Sequence, residues 1–290
     1  MKKILGAVLI VFMIVGMFTG CGENITIDVP LTSENEENEV SSAIDKISEP
    51  VNPEPDNSSK SKSFDKISDF IDAVTEIEGI HEKVINEYEN IPVIEIPAAF
   101  MPLATASMYE LLNMDNKDGR FEGTGMISGF QEFIEKNGRV YSFGRDDVRE
   151  KDGFTPYDKA GDRLVENGSF DGNKNLFHTE SYSERNSALI QKTSVYCLLT
   201  NDDTVILLYQ FGNNFDSRGE AIKADHAVFL TVSKNHYDFV LAQNTTGADF
   251  QVLPFSITTT EEAKKLFMDN GYKIDKTGGI YDGKYEVTTN

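Results

Sequence analysis

The chain has 290 residues, 27 Lys and Arg against 48 Asp and Glu, a net charge of −21, two Cys and no Trp. At 39% apolar and 26% charged residues the composition is globular, which excludes collagenous and wholly disordered classes. The acidity excludes a general nucleic-acid binder, because phosphate is repelled and no basic patch offsets it, and two Cys are too few for a disulfide framework or a Cys-rich metal site.

Lys2 and Lys3 precede an uncharged apolar run from Ile4 to Phe18. A short cationic start, an apolar stretch and small residues before a break describe an export signal. The run is shorter than the roughly 20 residues a membrane-spanning helix needs. It ends in Phe18-Thr19-Gly20-Cys21, which resembles the bacterial lipobox, although Phe18 stands where that family prefers Leu. The resemblance covers residues 1–21 only. It implies removal of residues 1–20, lipidation of the Cys21 thiol, and anchorage of the chain at the extracytoplasmic face of the cell membrane. The membrane, reached through Cys21, is then the first expected partner.

Loss of residues 1–20 leaves 25 basic residues against 48 acids, a net −23. Residues 22–63 hold ten acids and three Lys, with Pro50, Pro53, Pro55 and the run Ser59-Lys60-Ser61-Lys62-Ser63, and no aromatic residue. So little apolar surface cannot offset the entropy of ordering, so residues 21–63 read as a lipidated Cys followed by a disordered acidic tether. Its ideal-coil reach is roughly 35 Å, extended further by self-repulsion.

At Phe64 the pattern changes. Phe64, Ile67, Phe70, Ile71, Val74, Ile77, Val84, Ile85 and Tyr88 recur at helical spacing, with Ser63 as N-cap and Pro92 as terminator. No sustained heptad follows, so the stripe is expected to cover the domain's own sheet. Ile91 to Pro102 reads as an extended, proline-punctuated connector, and Ala104 to Leu112 fits either a short helix or a strand. From Arg120 the alternation predicts strands at Phe121–Ile127, Val140–Gly144, Arg163–Phe170, Leu176–Glu184, Leu189–Thr200, Thr204–Phe211, His226–Ser233, Tyr237–Gln243 and Phe250–Phe255. The loops between most of them are too short for parallel crossovers, which makes the sheet an antiparallel meander. Thr259 and Glu262 form a capping-box pattern for a late helix, with Gly271 suited to its C-terminal turn. Tyr272–Ile274 and Tyr281–Val287 then flank Thr277-Gly278-Gly279 as a closing hairpin.

The strands differ in character. Val195–Leu199 and Val205–Phe211 are apolar on both faces and require cover on both sides. Leu176–Glu184 puts His178, Glu180 and Glu184 on one side and belongs at an edge or a wet face. The expected fold is a single α+β domain over residues 64–290: a curved, mostly antiparallel meander with an N-terminal amphipathic helix and a C-terminal helix and hairpin.

Catalytic signatures are missing. His81-Glu82 starts a zincin helix but Ile85 stands where the second His belongs. Lys117 breaks the calcium-loop alternation of Asp115–Gly119, and Gly123-x-Gly125 continues into Ser128 within a strand rather than a nucleotide-binding turn. Cys197, mid-strand among apolar residues, reads as an inert buried thiol. His178-x-Glu180, His236-x-Asp238 and Asp225-His226 place His beside carboxylate, which on a strand is ordinarily a solvated surface pair. Should the sheet gather them, they would make a metal site or a hydrolase centre. No cofactor, metal or catalytic residue is assigned.

The order of elements is similar to the lipoprotein-carrier type of half-barrel over roughly residues 100–290, in which a sheet curls over an apolar cavity closed by helices. That resemblance is architectural, carries over no residue, and implies an acyl-chain or lipopeptide ligand. The function expected is that of a lipid-anchored accessory protein holding an apolar ligand or a partner segment, in an enclosed cavity where sheet meets helix. The alternatives are an envelope protein acting on another protein through its surface, and a hydrolase with a His–carboxylate site.

Overall fold

A computed structural model describes residues 63–67, 69–74, 76–77, 118–124, 131–152, 159–214, 221–281 and 284–289. Cys21, the tether, the second half of the expected first helix, the connector and the Ala104–Leu112 segment lie outside these residues.

Eleven strands form one sheet: β1 (Gly119–Thr124), β2 (Gln131–Asn137), β3 (Val140–Val148), β4 (Arg163–Asp171), β5 (Leu176–Arg185), β6 (Ala188–Leu199), β7 (Val205–Asn213), β8 (Lys223–Ser233), β9 (His236–Asn244), β10 (Tyr272–Tyr281) and β11 (Lys284–Thr289). Their order in space is their order in sequence, and every pair is antiparallel. The sheet is not closed into a barrel, and the α+β curved meander expected from the sequence is the observed fold.

Local chemistry explains the tight register. Asn186 and Ser187 both take positive φ, 52° and 64°, in the two-residue turn from β5 to β6, where such values match the strands' own twist. Between β6 and β7, Asp203 (φ 59°) completes a turn that the Thr200 hydroxyl fastens by receiving Thr204 N–H at 3.1 Å. Gly172, between β4 and β5, has no room for a side chain: a Cβ there would overlap the Phe64 carbonyl oxygen.

Alternation along the strands produces two apolar layers. On the first face, Tyr141, Phe143, Phe170, Phe177, Cys197, Leu207, Val228 and Phe239 belong to one layer that reaches from β2 to β11. A helix over residues 69–74, α1, packs there: Phe70 lies on Phe170 with centroids 4.6 Å apart, and Phe64 N–H donates to Gly172 O at 3.0 Å. On the second face, Tyr196, Leu208, Phe229 and Val240 are covered by α2 (Thr260–Asp269) and by Leu253 and Ile257. The central strands β6 to β9 are thus covered on both sides, as the sequences of β6 and β7 require. The Thr259–Glu262 capping box is formed, and the chain turns at Gly271 with φ +83°.

Three expectations need correction. Gln131–Asn137 is a strand the sequence did not announce. Phe250–Phe255 is not a strand; Pro254 cannot donate to a ladder, and the segment crosses the second face as irregular chain. The last hairpin does not turn at Thr277-Gly278-Gly279, because β10 runs straight through these residues and turns between Tyr281 and Lys284. Of the two placings expected for Leu176–Glu184, an edge or a wet face, the second is observed. The strand lies between β4 and β6, and only its second face is wet.

Candidate functional site

Among the described residues an open groove lies where α2 leaves the sheet. The helix ends at Asp269, Asn270 caps it, and the left-handed Gly271 swings the chain directly into β10 at Tyr272. Helix and strand diverge from that point, and the wedge between them is an open groove of about 790 Å³. Its floor is Ile274, Thr277 and Thr288, the two threonines being opposite one another in the β10–β11 register. Lys264 and Met268 of α2 form one wall, and Thr245 and Thr246 close an end. Met268 is 58% exposed, an apolar side chain left uncovered beside a cleft. The sequence led to an enclosed apolar cavity at the sheet–helix boundary. The groove is at that boundary, but it is open and mixed in character.

The irregular segment that crosses the second face is pinned by one residue that sequence reading missed. Gln210 of β7 is fully buried. Its carbonyl oxygen accepts Leu253 N–H at 2.7 Å, and its amide donates to Gln251 O at 3.1 Å and to Tyr272 Oη at 3.4 Å. The side chain thus does for residues 251–253 what a neighbouring strand would do, satisfying backbone groups that burial would otherwise strand.

The His–carboxylate pairs stay apart. His178 is on β5 and His236 on β9 of the second face, four strands distant, while His226 lies on the first face against Phe211 and Tyr209. His178 stacks on Tyr196 at 3.9 Å, and Tyr196 stacks on Phe255 at 5.1 Å. Burial lowers the His178 pKa to about 4 and pushes Tyr196 up to about 12, so both rings are neutral near pH 7. Two clusters combine a His, an acid and a hydroxyl. In the first, His178 Nε2 is 3.6 Å from Glu180 Oε1 and 3.5 Å from the buried Ser194 Oγ. In the second, His236 Nε2 is 2.9 Å from Asp238 Oδ2 and 3.1 Å from Thr231 Oγ1. A nucleophile relay needs the acid on one ring nitrogen and the hydroxyl on the other. Here both partners meet the same nitrogen, so neither cluster has relay geometry.

The remaining buried charge is paired. On the first face Glu166, 4% exposed, meets Arg145 Nε at 2.5 Å and accepts the Thr179 hydroxyl at 3.1 Å. At the same end of the sheet Asp162 holds Arg185 through two contacts of 2.6 Å. Burial opposes ionisation of Asp162, but Arg185 and the Lys159 N–H outweigh it and keep the carboxyl below its ordinary value. These pairs cross-link neighbouring strands rather than present a free charge. Cys197 is a free thiol and fully buried, as its apolar neighbours in sequence suggested.

Among the described residues no group of three or more His, Cys, Asp or Glu side chains is placed to hold a metal ion, and no helix is long and apolar enough to cross a membrane. Comparison of the chain with family models, with curated proteins and with solved structures finds no match in any of the three.

Proposed function

We propose that the chain is a lipid-anchored extracytoplasmic binding or accessory protein, tethered to the cell membrane through Cys21 and holding an apolar ligand or a partner's segment against its curved sheet. The observation that carries the binding part is the groove beside α2, a ligand-sized cleft on the second face with the uncovered Met268 in its wall. Support for the anchoring part comes from the lipobox-like end of the export signal and from the acidic, apolar-poor stretch after it. A tether of that kind lets a domain work at a distance from the bilayer while confined to its surface.

The test is native mass spectrometry of the full chain extracted from its own host in a mild detergent. Retention of a small amphiphilic molecule is the expected result. Bare polypeptide in every preparation would overturn the binding part. A second reading, action through the surface on another envelope protein, is favoured by β11, an edge strand with five of its six residues exposed. The same spectra distinguish it, because a co-purifying polypeptide would replace the small molecule.

A further inference from the structure

We infer that β11 is a strand-addition site: it takes an extended segment of a partner protein as an antiparallel twelfth strand, and the segment reads apolar, any residue, basic, any residue, acidic. This deepens, and rests on, the partner-segment reading above. β11 ends the sheet, and among the described residues no strand lies beyond it. Tyr281 and Lys284 close a two-residue turn and therefore bond each other's backbone. Alternation from that pair turns the N–H and C=O of Val287 and Thr289 away from β10. Two devices that blunt an edge, a proline and a bulge, are absent from these six residues. β1, the opposite edge, has Gly at two of its six positions and is the poorer template.

The side chains of β11 say which segment fits. Val240 belongs to the second-face layer and stands opposite Thr277, so Thr277 and its β11 partner Thr288 face that side. Glu286 and Lys284 follow on the same face at two-residue steps. Thr288 is at once an edge-strand residue and part of the groove floor, and no residue beyond β11 lines the groove. A side chain set opposite Thr288 on an added strand therefore borders the groove whose wall holds the exposed Met268, and an apolar one gains burial there. Two and four residues further along, the added side chains oppose Glu286 and then Lys284. Opposite charges across a ladder attract and like charges repel, which calls for a base and then an acid. On the first face the strand meets Val287, 37% exposed, against which a β-branched residue packs. Main-chain bonds would hold any extended chain; the groove and the two charges choose among them.

The experiment uses the full chain in nanodiscs of zwitterionic lipid. Its probe is the acetylated peptide Thr-Leu-Val-Lys-Val-Glu, labelled with a fluorophore through a C-terminal linker, whose residues oppose Thr289 through Lys284 in turn. Anisotropy titrations compare it with the charge-exchanged peptide Thr-Leu-Val-Glu-Val-Lys. The first is expected to bind about tenfold tighter, because two charge pairs change from repulsion to attraction, and to slow hydrogen exchange at Val287 and Thr289. In the Lys284→Glu/Glu286→Lys chain the preference should reverse. Val287→Pro removes an outward N–H and none bonded to β10, and should weaken the first peptide about tenfold or more. Equal binding of the two peptides, or a preference that the charge-exchanged chain does not reverse, overturns the inference. Binding that survives Val287→Pro places the peptide elsewhere and overturns it too. Sedimentation of the chain as a dimer that Val287→Pro dissolves overturns it by making a second copy the occupant. If neither peptide binds, the inference fails; a polypeptide co-purifying in the native spectra then leaves the partner reading standing, and its absence removes both.

Discussion

His178 is held between a tyrosine ring and the sheet, where charging it would place a cation in a half-buried aromatic stack. A histidine whose pKa falls from 6.5 to about 4 on folding is a weaker base in the native protein than in the unfolded chain. Protonation therefore favours unfolding. The stability associated with the neutral ring is intact above about pH 6.5 and is lost as the pH falls from there toward 4. Thermal or denaturant melts at pH 7 and pH 4.5 should show that the wild-type chain loses roughly 2 kcal/mol more than His178→Phe, after discounting for the ring's partial exposure. Parallel losses in the two proteins would show that the stack does not govern this titration. The prediction uses a ring that the sequence marked only as a surface histidine. Its neighbours Glu180 and Ser181 gave no hint that Tyr196 and Phe255 would stack beneath it, because those rings reach it from β6 and from a loop.

The same limit explains which elements were legible. Strands β3 to β9 combine alternating or continuous apolar patterns with Asn-, Asp- and Gly-rich turns, so both their existence and their antiparallel order follow from local chemistry. The α2 start was readable because a capping box is a fixed four-residue device. Strand β2 was not readable: in Gln-Glu-Phe-Ile-Glu-Lys-Asn the two apolar residues are adjacent, and Ile134 is in the buried layer while Phe133 is only half-buried. Its strand conformation comes from pairing with β1 and β3, a tertiary cause. Residues 250–255 failed in the opposite sense, since their apolar content reflects packing over a sheet rather than membership of one. What holds them is Gln210, an amide inside a strand whose neighbours are leucines, valines and aromatics. Gln210→Leu fits the layer in size but leaves Leu253 N–H and Gln251 O without their partner. The expected cost is about 2 kcal/mol in chemical denaturation, with hydrogen exchange at Leu253 accelerating more than exchange in β7. Uniform acceleration across both would mean that Gln210 supports the whole sheet instead of the segment. The groove itself had no sequence signal beyond the boundary between helix and sheet, because its walls meet only through the Gly271 turn.

At the scale of the whole molecule, the net −21 is an average over unlike parts. Residues 1–20 carry +2, residues 22–63 carry −7, and residues 64–290 carry 22 basic residues against 38 acids, or −16. In the proposed arrangement, repulsion of these acidic residues by an anionic bilayer would hold the domain away from its anchor. Replacing Cys21 by Ala should abolish incorporation of an alkyne-labelled fatty acid and of the lipid anchor with it, whereas Cys197→Ala should leave labelling unchanged because that thiol is buried. Labelling that persists in the Cys21 variant would contradict the anchor. The strictly sequential strand order has a further consequence for a chain that emerges from a pore N-terminus first. From β1 to β9 each strand finds its partner in the segment that preceded it, so the sheet can grow one hairpin at a time on the far side. Every hairpin that closes is too wide to slip back, and folding itself then acts as a ratchet on translocation. Growth pauses after β9, where α2 and its connecting segment must be laid across the second face before β10 and β11 can be added. In the proposed export, the groove would therefore be among the last features to form, once nearly the whole chain had crossed.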